Sequence, residues 1–173
     1  MNNDGQVSLL LSPGELLALL SLSGADALDG LMLPALADED VRAALSTLEE
    51  SGIISGDGST VVISNAYYAI CRAMTAYDCL LILRADVRSY STYVHDRLCV
   101  VAEYSRPDLV RLTPLPDREE ALRTLQQTSF ADDDPLELTL VVNGEEAAYL
   151  STSGEAFRAT TMPDLMRDLT GKE

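Results

Sequence analysis

In this chain of 173 residues, 28 acids outnumber 12 bases and a single histidine, giving a formal charge of −16, while 47% hydrophobic content supplies material for a folded core. The length allows one substantial core or two small ones. Apolar runs such as Leu16-Leu17-Ala18-Leu19-Leu20 fall far short of the roughly 20 residues that cross a bilayer, and the charge removes the usual cationic basis for binding phosphate backbones.

The opening Met1-Asn2-Asn3-Asp4 lacks the positive region of a secretory signal, so a cytoplasmic location and no membrane association are expected. Ser12-Pro13-Gly14-Glu15 reads as a helix start: a serine N-cap, proline at the first helical position and a glutamate placed for a capping box. Leu16, Leu19 and Leu20 form its apolar face, and Ser23-Gly24 ends it. A second short helix is predicted over residues 25–31. A third opens at Ala37-Asp38-Glu39-Asp40, buries Val41, Ala44, Leu45 and Leu48, and stops at Gly52. Ile53-Ile54 can pair with Val61-Val62-Ile63 across a polar turn at residues 55–59.

This order predicts a winged-helix-like module over residues 1–64. Winged helices often bind DNA, yet residues 1–70 carry ten acids against Arg42 alone. The expected reading face presents Asp38, Asp40, Glu49 and Glu50, with nothing to position phosphates or read base edges. No nucleic-acid partner is therefore expected, and a protein-docking role suits the surface better.

Residues 65–173 read as an antiparallel α+β domain. A helix capped at Ser64-Asn65 runs to Ala76. Short β-like runs follow at residues 79–83, 87–94, 98–104 and 109–112, spaced for a meander rather than a parallel nucleotide-binding sheet. Alternation puts Tyr90 and Thr92 on one face and Ser89, Ser91 and Tyr93 on the other. Asp117-Arg118-Glu119-Glu120 begins a helix with Ala121, Leu122 and Leu125 inward. Asn143-Gly144 marks a hairpin between a strand at residues 136–142 and a second arm at residues 145–150. A further strand near residues 156–160 and a helix over residues 163–169 complete the prediction. The fold class is thus α+β, with a winged-helix-like module before an antiparallel sheet with packed helices.

The residues that could carry chemistry read better as structure. His95-Asp96 sits in a hairpin turn without a visible third group. Asp132-Asp133-Asp134 lacks the alternating ligands of a calcium loop and reads as an acidic linker. Cys71, Cys79 and Cys99 lack metal-ligand spacing and sit in apolar contexts, as buried thiols do. Gly52, Gly56 and Gly58 surround a turn, not a phosphate cradle. No catalytic residue, metal or cofactor is expected. Tyr90, Tyr93 and Tyr104 are the candidate protein contacts, since tyrosine joins apolar area to a hydroxyl.

The acidic winged-helix-like start, the meander at residues 80–84, 89–94 and 97–104, and the run Asp96-Arg97-Leu98-Cys99-Val100-Val101 leading to the helix at Asp117 resemble the EspG-type accessory proteins of type VII secretion. The resemblance implies a cytosolic chaperone or adaptor for secreted helical proteins. The expected function is thus a cytoplasmic adaptor or secretion chaperone, not an enzyme, acting on a helical or secreted protein, with a homo-oligomer also open. Its expected mechanism is occlusion of an apolar partner surface, with peripheral acids selecting basic partners. A winged-helix transcriptional regulator is the alternative, and a small hydrolase the distant one.

Overall fold

The computed structural model describes residues 8–25, 28–57, 60–128 and 130–170. Strand β1 (Leu9–Leu11) leads into helix α1 (Pro13–Leu22). The capping box forms as expected: the Glu15 amide donates to Ser12 Oγ at 3.1 Å, and the Ser12 amide donates to Glu15 Oε2 at 2.6 Å. Helix α2 (Asp38–Glu50) begins where its acidic first turn predicts, with the Ala37 amide donating to Asp40 Oδ2 at 3.1 Å. Strands β2 (Ile54–Gly56) and β3 (Val61–Ile63) pair antiparallel, and helix α3 (Asn65–Thr75) follows. Gly58 and Ser59 of the predicted turn lie outside the described residues.

The short helix predicted over residues 25–31 is not formed. Asp26 and Ala27 lie outside the described residues, and residues 28–37 run as an irregular strap with a turn at Asp29-Gly30. Gly30 takes φ +77°, outside helical backbone, and the Asp29, Gly30 and Met32 carbonyls accept from hydroxyls of the sheet. Tertiary hydrogen bonds here outweigh local helix propensity.

Strands β4 (Cys79–Ala85), β5 (Arg88–His95), β6 (Leu98–Arg106) and β7 (Leu109–Leu115) form the predicted meander, and helix α4 (Arg118–Gln126) follows from an Asp117 cap. Strands β8 (Pro135–Val142) and β9 (Glu145–Ser153) turn at Asn143 and Gly144, both at positive φ as such a hairpin requires. The seven-stranded sheet has the order β1-β7-β6-β5-β4-β8-β9, with every pairing antiparallel.

The strand predicted near residues 156–160 is instead helix α5 (Gly154–Ala159), before α6 (Met162–Thr170). Three contacts select it. Ser153 Oγ accepts from the Ala156 amide, while the Gly154 and Glu155 amides donate to the Asp134 and Asp132 carbonyls at 3.0 and 2.8 Å. The first donors of the helix, which have no partner within it, are thus satisfied by the acidic connector. A Cβ on Gly154 would overlap the Ala131 carbonyl oxygen, so only glycine permits this approach.

Two apolar layers enclose the sheet. On one face, Leu16, Leu20, Leu48 and Met74 join Leu80, Tyr93, Val100 and Leu112. On the other, Leu122, Leu125, Phe157 and Leu165 join Leu83, Tyr90, Val101 and Leu138. The first cluster spans both sides of residue 64, and β1 pairs with β7 through Leu9↔Leu112 and Leu11↔Val110. Among the described residues, no helix is long and apolar enough to cross a membrane.

Candidate functional site

The β4–β5 hairpin reverses through Asp86 and Val87, with Asp86 at φ +52° and Ala85 opposite Arg88. Beside it, the β6–β7 hairpin ends at Arg106↔Leu109 after an irregularity between Tyr104 and Arg106. These neighbouring tips and the strap at Gly30, Leu31 and Met32 border an open groove of about 610 Å³. Both sheet faces contribute to it. Strand alternation puts Arg88, Tyr90, Glu103 and Arg111 on one side and Arg84, Ser89 and Tyr104 on the other.

Apolar and cationic groups share the groove. Met32 and Val87 are each 90% exposed, an unusual position for two unpaired apolar side chains lining one concavity. Three of the 12 basic residues line it: Arg84, Arg88 and Arg111. Arg111 Nη1 pairs with Glu103 Oε1 at 3.0 Å. Among the described residues none pairs with the Arg84 guanidinium, although Glu137 stands opposite it across the strands.

The predicted contact residues separate here. Tyr104 lines the groove at 37% exposure and donates its hydroxyl to the Met32 carbonyl. Tyr90 borders the groove but is 3% exposed, with its ring in the second apolar layer. Tyr93 is fully buried in the first layer and donates to the Asp29 carbonyl at 2.5 Å, so it is a packing and tethering residue rather than a surface contact. Burial pushes its hydroxyl pKa far above the ordinary tyrosine value. Tyr77, whose hydroxyl donates to the Asp29 carboxylate, is pushed up to about 12 by burial and then by that carboxylate.

The groove-lining residues Met32, Val87 and the arginines are not singled out by the sequence. Arg84, Arg88 and Arg111 come from three strands, and no local spacing announces their convergence.

The other candidates build no comparable site. His95 Nδ1 lies 4.0 Å from Asp78 Oδ1, while the Asp96 amide donates to Asp78 Oδ2 at 2.7 Å, so Asp78 serves the turn and no His95–Asp96 pair forms. Asp132 is taken by Arg158, whose guanidinium also bonds the Phe130 carbonyl and lies 4.8 Å from that ring's centroid. Cys71 and Cys99 are buried and Cys79 half-buried, and burial raises the Cys99 thiol to about 11. Among the described residues, no three His, Cys, Asp or Glu side chains are grouped to hold a metal ion. Comparison with protein-family models and with curated proteins finds no match for the chain.

Proposed function

We propose that this protein is a cytoplasmic binding adaptor, in the manner of a secretion chaperone, that covers the apolar face of a helical segment in another protein. The exposure of Met32 and Val87 in one groove carries this reading. Burying such a side chain fully contributes about 1.5–3 kcal/mol, so the two anchors offset part of the cost of holding an amphipathic helix presented at i, i+3 and i+7 spacing. Tyr104 adds a ring whose hydroxyl is already satisfied by the strap, leaving its apolar edge for a partner.

On this reading the unit of α1, α2 and the β2–β3 hairpin is a winged-helix-like scaffold that supports the strap instead of reading DNA. Its acidity favours that use, because a phosphate backbone would be repelled. The groove offers Ser89 and Ser105 but no histidine, so binding is favoured over nucleophilic catalysis.

The test is co-expression of the chain with helical proteins encoded beside it, followed by affinity capture after nuclease digestion. A stoichiometric complex should form with one of them and be lost in the Met32→Asp, Val87→Asp double variant, whose unfolding midpoint should match the parent. Capture of nucleic acid alone, or a complex indifferent to the double variant, would overturn the assignment.

A further inference from the structure

We infer that the crevice between α4, α6 and the sheet is a site for one soft monovalent cation, copper(I), held by sulfur from Cys79, Met162 and Met166. It shares no lining residue with the groove and stands apart from the adaptor reading. Cys79 opens β4, and Met162 and Met166 lie a single helical turn apart on one face of α6. All three line the same crevice, whose walls also include Leu122 of α4 and Leu140 of β8 and present no oxygen or nitrogen surface. Each of the three is half-buried, so solvent reaches the sulfur donors.

Size and chemistry together narrow the occupant. The space is about 30 Å³, whereas an apolar cavity that takes a benzene ring measures about 150 Å³. An organic ligand is therefore too large, and a water would lack the roughly two to four polar partners that hold one inside a protein. A thiol with a pair of thioethers is a soft ligand set, which favours copper(I) over the hard ions that take carboxylates and carbonyls. Charge decides between the soft ions. A monovalent cation on one thiolate is neutral as a pair, but zinc there would leave an uncompensated positive charge against apolar walls. Burial raises the Cys79 thiol above its ordinary pKa, Arg118 opposes that rise and Asp78 adds to it, so the free protein keeps the thiol protonated at neutral pH. On binding, the S–H proton leaves to water as the sulfur–copper bond forms, and the metal keeps its oxidation state.

Anaerobic titration of the full, reduced chain with copper(I), against bathocuproine disulfonate as competing chromophore, tests the assignment. One copper per chain should be retained, with thiolate-to-copper charge-transfer absorption in the ultraviolet and only sulfur bonded to the metal by X-ray absorption. An excess of zinc should not displace it. Met162→Leu with Met166→Leu keeps the apolar volume and should weaken retention at least tenfold at an unchanged unfolding midpoint. Cys79→Ser should abolish retention, whereas Cys71→Ala, in the opposite apolar layer, should leave it as in the parent. Failure to retain copper, or equal retention by the methionine double variant, would show the crevice to be a packing gap filled by flexible thioethers. Displacement by zinc would overturn the choice of ion.

Discussion

Two covers of the sheet, the helices on one face and the strap lying beside α1 and α3 on the other, are fastened by different chemistry. On one face, α4, α5 and α6 press Leu122, Leu125, Phe157 and Leu165 onto Leu83, Val101 and Leu138, an apolar contact with regular helical spacing. On the other, the strap at residues 28–33 is drawn onto the sheet by hydroxyls. Tyr93, Ser91 and Tyr104 donate to the carbonyls of Asp29, Gly30 and Met32, and Tyr77 donates to the Asp29 carboxylate. The difference teaches that one sheet can hold a helix by area and an irregular segment by direction. Area tolerates small displacements, whereas a hydrogen bond to a chosen carbonyl fixes the chain residue by residue.

The sharpest way to break the apolar side is Phe157→Ala. Its ring is fully buried, and the change should cost about 3–5 kcal/mol in urea unfolding, leaving the opposite layer's tethers unable to compensate. A loss under 1 kcal/mol would mean that this layer is not packed as described. On the tethered side, Gly30→Ala should cost about 1–2 kcal/mol from the left-handed backbone alone. Crowding adds to this, since a Cβ there would stand 2.9 Å from Ser91 Oγ and 3.0 Å from Leu80 Cδ2.

Tyr93→Phe keeps the ring and removes one tether. It should cost about 1 kcal/mol and speed amide exchange in the strap more than in α4. The same tethers predict an alkaline weakness. Tyr77 and Tyr93 have folded pKa values raised above the unfolded value near 10, so their stabilisation is complete below that pH. It declines as pH rises, through about 12 for Tyr77, and equilibrium unfolding across that range should weaken less in the Tyr77→Phe, Tyr93→Phe variant. The smallest expected effect is at a site belonging to neither fastening: Ser12→Ala removes the α1 cap and should lower stability by about 0.5–1 kcal/mol by thermal melting.

Legibility followed the same division. Ser12-Pro13-Gly14-Glu15, Asp117 and Asn143-Gly144 announced their caps and turn because the partners lie within a few residues. Alternation in β5 correctly separated Tyr90 and Thr92 from Ser91 and Tyr93. The strap was misread because 61 to 72 residues separate its carbonyls from the hydroxyls that claim them. Helix α5 was misread for a related reason: its first amides are satisfied by Asp132 and Asp134, which no helix-start pattern includes. The groove was invisible in sequence, since its arginines meet only when β4, β5 and β7 reach the same end of the sheet.

The sheet also has unequal borders. One ends in the three residues of β1, while the other is the nine-residue β9, whose outer ladder has no strand beside it among the described residues. Such an edge is a template for uncontrolled polymerisation unless something spoils it. Here Glu145 and Glu146 charge its start, and an irregularity opposite Leu140 and Val141 bends it soon after. The whole chain approaches its isoelectric point at about pH 4.2. Acidification therefore removes the overall repulsion between chains, and light scattering should rise near pH 4 before the fold itself is lost. The abundance of aspartate and glutamate thus acts as a colloidal safeguard for a border that the topology leaves open.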